Sequence, residues 1–282
     1  MKEFKDKVAV ITGGASGIGR GIAERCCQEG MKVVLADIET KMLSNTEKEL
    51  KSTGATVISV LTDVSKVNDI KALAKKTLDT FGAVHLLFNN AGVAVSTYLW
   101  EYTFADLEWI VGVNLWGVIY GVRIFVPIML KQDTKCHIIN TSSLAGLIPG
   151  NGIYGITKNG IVALSETLVA ELSYIKSKIK VSVLCPGFVK TRILECERNR
   201  PSELRNDPSE VISHPEFKSS QKLFNQMVNS GLSPKKVAEI VFQAIRDNKF
   251  YILTEHHFIY KRIFKRRLNT ILKAFEEDST LK

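Results

Sequence analysis

Apolar runs of strand length alternate along this chain with stretches of helical period. Val8–Thr12, Val33–Asp37, Thr56–Leu61, His85–Asn89, His137–Thr141, Val181–Cys185 and Phe250–Thr254 read as seven strands. Between them the apolar period predicts a helix beginning at Gly17 and others over Lys41–Ser52, Val67–Phe81, Phe104–Lys131, Tyr154–Ile175 and Pro234–Asn248. A strand, helix, strand order repeated this often requires parallel strands joined by crossover helices on both faces. The expectation is therefore an α/β fold, a doubly wound parallel sheet in a single domain over residues 1–254. No Pro/Gly/Ser linker divides the chain, and no fixed period marks it as a solenoid.

Two segments interrupt the rhythm. Residues 188–231 are polar and proline-punctuated and follow the C-terminal end of a strand, the edge at which doubly wound sheets bind ligands; a substrate lid is expected there. The longest apolar tract, Trp109–Leu130, approaches the length of a bilayer span, but Asn114, Arg123 and Pro127 break it. A buried core helix or a subunit contact accommodates such insertions more easily.

Bulk composition narrows the picture a little. With 282 residues and 45% hydrophobic content, the chain can build a sizeable core. Its net charge of +9 is concentrated at Lys261–Arg267, beside Phe258, Ile259 and Tyr260, in a basic tail spanning 255–282. A solvated helical tail is favoured over peripheral contact with anionic lipid, and no nucleic-acid partner is expected, because no recognition motif accompanies the charge. Cysteines 26, 27, 136, 185 and 196 form no CxxC pair or His/Cys cluster, so reduced thiols and no metal site are expected. The N-terminus carries no secretory h-region, which predicts a cytoplasmic protein. Asn140-Thr-Ser142 matches a glycosylation sequon but ends an apolar strand, and is discounted.

Candidate chemistry sits at the strand ends. Thr12-Gly-Gly-Ala-Ser-Gly-Ile-Gly19 links the first strand to the first helix, where glycines let backbone approach a pyrophosphate and the helix N-terminus offers unpaired N–H donors. Its spacing is GxxxGxG, without the Gly-Lys-Ser/Thr of a nucleotide triphosphatase. Asp37 ends the second strand, placed to accept hydrogen bonds from an adenosine ribose. A 2′-phosphate would be repelled by Asp37, and no Arg or Lys follows directly, since Ile38 and Glu39 come next; NAD is expected over NADP, with Arg20 as the counterargument. Further on, Tyr154 and Lys158 stand four residues apart on one helical face, able to act as an acid/base unit.

Taken together these residues resemble the short-chain dehydrogenase/reductase family, from Val8 to about Thr254. The likeness implies a Rossmann-type sheet and an NAD(P)-dependent oxidoreductase that moves a hydride between NAD(H) and a secondary alcohol or ketone. By resemblance, Gly13, Ser16, Gly17, Ile18 and Gly19 form the cofactor turn, Asp63 and Val64 touch the adenine, and Asn89-Asn90-Ala91-Gly92 is the sheet-stabilising NNAG. Pro186-Gly187-Phe-Val189-Lys-Thr191 resembles the segment whose Val189 backbone and Thr191 side chain hold the nicotinamide carboxamide. Asn114, Ser143, Tyr154 and Lys158 match the catalytic set, with Ser142 a rival for the serine. In that scheme Tyr154 is the general acid/base, its phenol acidified by Lys158 and the nicotinamide; Lys158 also binds the nicotinamide ribose, Ser143 holds the substrate oxygen, and the Asn114 amide positions a relay water. Ser143 and Tyr154 are 11 positions apart, about two fewer than the family pattern, so the loop Leu147–Ile153 is expected to be short. The resemblance also implies a homodimer or homotetramer through Phe104–Lys131 and Tyr154–Ile175. The alternative, a catalytically idle dinucleotide-binding or scaffold protein on the same fold, would be favoured by loss of the tyrosine or lysine, and both are present.

Overall fold

A computed structural model describes residues 1–207, 209, 215–254 and 258–277. Seven strands, β1 (Val8–Thr12), β2 (Lys32–Asp37), β3 (Val57–Leu61), β4 (Leu86–Asn89), β5 (Cys136–Thr141), β6 (Ile179–Cys185) and β7 (Tyr251–Leu253), form one sheet in the order β3-β2-β1-β4-β5-β6-β7. Every pairing is parallel, as the doubly wound reading requires. Strand boundaries lie within two residues of those predicted. The chain winds outward from β1 to β3 and then returns to lay β4 on the other side of β1. That reversal opens a crevice between the C-terminal ends of β1 and β4, the place where such sheets bind ligands.

Alternation along each strand explains the two layers. Ala9, Ile11, Val33, Leu35 and Phe88 face one way, against α1 (Gly17–Gln28), α2 (Thr40–Ser52) and α8 (Pro234–Arg246), which contribute Ile22, Leu43 and Phe242. Val8, Val10, Val34, Leu87 and Ile138 face the other, against α3 (Val67–Phe81), α5 (Gly117–Gln132) and α6 (Gly152–Tyr174), through Leu73, Phe125 and Leu168.

The helix predicted over Phe104–Lys131 is not uniform. It is α4 (Phe104–Val111), a π-helical turn at Gly112–Trp116, and α5 in one run of 29 residues. By length and composition alone that run could cross a membrane. Here Trp109, Ile110, Phe125 and Met129 are buried in the core. Within the expected lid, α7 covers Pro215–Ser230, and the basic tail forms α9 (Phe258–Glu277), which buries none of its residues. The sequon at Asn140 is sealed from solvent: its amide donates to Ser165 Oγ at 3.0 Å and accepts from Asn89 at 2.9 Å.

One buried polar group gives the fold a pH dependence. His137 on β5 is 1% exposed, with Nε2 2.7 Å from Ser182 Oγ and Nδ1 without a partner among the described residues. Because Ser182 Oγ already donates to Lys249 O at 2.6 Å, the imidazole must donate through Nε2, which leaves the bare Nδ1 lone pair buried. Burial first, then the positive N-terminus and Lys180, push its pKa down to about 3. An unfolded histidine titrates near its ordinary value, so the unfolded chain binds the extra proton first. Stability is full above about pH 6.5 and falls as pH drops toward 3, by about 2 kcal/mol at pH 5. Urea unfolding at pH 7 and pH 5 is expected to show that loss in the parent, and His137→Gln to remove most of it; an unchanged slope in the variant would assign acid sensitivity elsewhere.

Candidate active site

Two glycine positions of positive φ build the turn after β1, Gly13 at +63° and Gly17 at +52°. At Gly19 a Cβ would stand 2.0 Å from the Gly13 carbonyl oxygen, so no larger residue fits the turn. Ser16 precedes α1 in extended conformation and its side chain makes no capping bond, leaving the first N–H groups of the helix for another acceptor. Thr12 ties this turn to the end of β4: its Oγ1 accepts from the N–H of Asn90 at 2.9 Å and of Ala91 at 3.1 Å, while Asn90 Nδ2 donates to Thr12 O at 3.0 Å. The crevice is thus walled by Gly13–Gly19 on one side and Asn90–Gly92 on the other. Thr191 closes it from above, its methyl 3.0 Å from where a Gly17 Cβ would lie.

At the end of β2, Asp37 is 8% exposed and accepts from the amides of Ala15 and Glu39, both at 3.0 Å. Burial raises its pKa and these backbone donors work against the rise. Asp63 turns its carboxylate to Ser65, accepting from the amide at 3.0 Å and the hydroxyl at 2.7 Å, while buried Val64 packs against Gly117. Beyond β6, the Pro186 carbonyl accepts from the Leu144 amide at 2.9 Å and Gly187 N donates to Thr254 Oγ1 at 3.1 Å. Buried Val189 bridges to Leu232, and Lys190 N donates to Leu232 O at 2.9 Å. The start of the 188–231 segment is therefore stitched down.

The serine-tyrosine-lysine group lies between β5 and α6. Ser142 Oγ donates to the Lys158 carbonyl at 2.7 Å and is 2% exposed, which commits it to holding the helix. Ser143 Oγ accepts from Ala145 N at 3.1 Å and lies near enough to the Tyr154 hydroxyl to lower its pKa, whereas Ser142 is turned to the helix backbone. A tight path makes the short loop possible: Gly150, Asn151 and Gly152 have consecutive positive φ of 101°, 66° and 53°. Lys158 is 3% exposed, its Nζ 3.1 Å from Thr141 O and 5.6 Å from the Tyr154 ring centroid.

The expected acidification of the phenol combines Lys158 with a nicotinamide; among the side chains alone, burial raises the Tyr154 pKa, only partly opposed by Ser143, and Cys196 adds to the rise. Lys158 is itself drawn down to about 8 by burial. One expectation needs correction: the Asn114 amide is not available to position a water. Its Oδ1 accepts from Val93 N at 2.8 Å, and its Nδ2 donates to Val93 O at 2.9 Å and Thr157 Oγ1 at 3.3 Å. Asn114 Oδ1 and Lys158 Nζ both lie 3.3 Å from the space a Gly92 Cβ would fill, so the asparagine fixes the wall against which the lysine rests.

Sequence reasoning missed a group of residues in the 188–231 segment. Arg200 makes a 2.6 Å ion pair with Asp106, both nearly buried, and stacks 4.2 Å from the Trp109 ring centroid. Cys196 donates to the Ala94 carbonyl at 2.9 Å, and Arg198 pairs with Glu39 at 2.6 Å. The charged run Arg192–Arg200 was the only local signal, and it carried no information about partners 94 to 159 positions away.

A family model, that of the short chain dehydrogenases, matches residues 7–201. The chain belongs to that family. A CLA biosynthesis dehydrogenase/reductase of Lactiplantibacillus plantarum is 35% identical over 275 residues, 96% of this chain and 95% of the relative. An (S)-acetoin-forming diacetyl reductase of Staphylococcus epidermidis is 31% identical over 90% of this chain and 99% of its own. Among solved structures, a short-chain dehydrogenase/reductase from Burkholderia phymatum in complex with NAD superposes with a TM-score of 0.91 at 44% identity, covering 97% of both chains. This member of the family is accordingly an oxidoreductase.

Proposed function

We propose that the protein transfers a hydride between NAD(H) and a secondary alcohol or ketone, with Tyr154 as general acid/base. The observation that carries this reading is the placement of buried Lys158, its Nζ 5.6 Å from the Tyr154 ring centroid and against the Gly92 wall of a glycine-lined crevice, with Ser143 close enough to the phenol to lower its pKa. The dinucleotide fits that crevice by three features: the Gly13–Gly19 turn that excludes side chains, the uncapped N-terminus of α1, and the Asp37 carboxylate at the end of β2. A nicotinamide bound there supplies or accepts the hydride.

The protein's own groups handle the charge. As a carbonyl is reduced, negative charge grows on its oxygen; the Tyr154 hydroxyl gives that oxygen a proton, and takes it back in the oxidative direction. Ser143 donates a hydrogen bond to the same oxygen. Lys158 spends one N–H on Thr141 O and keeps the others for the nicotinamide ribose hydroxyls. Because burial holds the Tyr154 proton on, the resting side chains favour the acid form, ready to donate. Asn114, through Val93 and Thr157, fixes the π-helical turn behind the lysine.

Absorbance of NADH in the presence of ketones and diketones, and of NAD in the presence of secondary alcohols, tests the reading. Turnover with at least one class is expected, and Ser143→Ala should lower it by roughly 10²-fold while leaving NADH binding intact. Ser142→Ala, by contrast, should act on thermal stability rather than selectively on turnover. Equal losses of turnover from the two would undo the serine assignment, and silence across the panel in a protein that binds NADH would undo the activity.

A further inference from the structure

No Arg or Lys directly follows Asp37 along the chain, but the fold brings two arginines to its neighbour Glu39. Two residues beyond Asp37, the Glu39 carboxylate collects Arg198 through Nη2 at 2.6 Å and Nε at 3.1 Å, Asn199 Nδ2 at 3.2 Å, and Arg192 Nη1 at 4.0 Å. These donors come from the 3₁₀ segment Ile193–Asn199 and its flank, which cross from Thr191, over the Gly17 turn, to the end of β2. Two guanidinium groups therefore overhang the ground where an adenosine ribose meets Asp37.

Glu39 is the one carboxylate that faces both. Arg192 also pairs with Glu195 at 2.7 Å, but Arg198 has no other anionic partner within the salt-bridge distance among the described residues. Its position does not depend on Glu39, because Nη1 donates to the carbonyls of Arg192 at 3.0 Å and Glu195 at 2.9 Å. Backbone carbonyls set the place of the guanidinium, and Glu39 supplies the compensating charge. Burial opposes ionisation of Glu39, yet the donors from Arg198 and Asn199 outweigh it and hold the carboxyl below its ordinary range. An isolated surface ion pair contributes little to stability, so folding alone gives this arrangement little purpose.

We propose that Glu39 is a specificity-determining residue that excludes NADP by occupying Arg198 and Arg192, guanidiniums that would otherwise bind a 2′-phosphate. This rests on the dinucleotide reading above and deepens it. Asp37 repels the phosphate from beneath, and Glu39 withholds the arginines that would welcome it from above. Removing the Glu39 charge leaves Arg198 in place, anchored by carbonyls and unpaired, beside the ribose 2′ position.

The test is the ratio of dissociation constants for NADPH and NADH, measured by nicotinamide fluorescence on the full chain, and it needs no substrate. Wild type is expected to prefer NADH. Glu39→Gln should shift the ratio toward NADPH by about tenfold or more, with an unchanged melting temperature, the size of one new charge-assisted hydrogen bond to the phosphate. Glu39→Gln combined with Arg198→Met should return the ratio to within about threefold of wild type, a reversal that a purely structural role for Glu39 would not give. A single variant whose ratio stays within twofold of wild type overturns the proposal, as does a double variant that keeps the altered ratio. Wild-type protein that binds neither dinucleotide would instead bring down the cofactor reading itself, and this proposal with it.

Discussion

Replacing Arg200 by Met destabilises the protein by about 3 kcal/mol and loosens the lid, because it strands a buried carboxylate. Asp106 and Arg200 have side-chain exposures of 5% and 3%, and the guanidinium is used in full: Nη2 to Asp106, Nε and Nη2 to Glu197, Nη1 to the Leu204 carbonyl at 3.1 Å, and the face of Trp109 beneath it. Asp106 also closes the capping box at the start of α4 with Thr103 and accepts from Asn206 at 3.0 Å. Those neutral donors soften the loss without supplying a counter-charge. Denaturant titration of Arg200→Met, of Asp106→Leu and of the double variant decides the point: the double should be less damaged than the two singles predict together, since no charge is then left unpaired. Strict additivity would mean that the ion pair does not hold the lid to α4. The same variant is expected to raise the KM for the carbonyl substrate, because the Arg200 anchor lies one turn from Cys196, which packs the lid against Ala94.

The architecture was open to reading because it is written in local terms. Strands buried on both faces, such as Val33–Asp37, must be apolar without interruption, and the helices between them carry a clear period. The glycine turn was legible for the same reason: positive φ and a 2.0 Å approach at Gly19 leave no other residue possible. Tyr154 and Lys158 were singled out by helical spacing, and Ser143 by the family's pattern. What escaped was whatever depends on burial or on distant partners. Among the side chains alone the pKa values of Tyr154 and Lys158 are governed first by desolvation, which no spacing reveals. The π-helical turn at Asn114 is set by Val93, 21 positions away, and an isolated helical period gives no sign of it. Most distant of all is the Glu39–Arg198 pair, separated by 159 positions, which the residues next to Asp37 gave no means of foreseeing.

Removing one oxygen from Tyr154 should have the largest effect on chemistry. In Tyr154→Phe the ring still fills its place against Lys158, and Asp37, the Gly13–Gly19 turn and Thr191 are untouched, so NADH affinity should change by less than about threefold. Loss of the proton donor should slow the chemical step by about 10³-fold, within the range that positioned acid/base groups supply. A change confined to turnover separates a chemical role from a packing one. The most direct measurement is single-turnover oxidation of bound NADH, followed by absorbance, with excess of whichever ketone or diketone wild type turns over. The account predicts a fast transient in wild type and a transient about 10³-fold slower in Tyr154→Phe at equal NADH occupancy. A variant that oxidises NADH at the wild-type rate would contradict it.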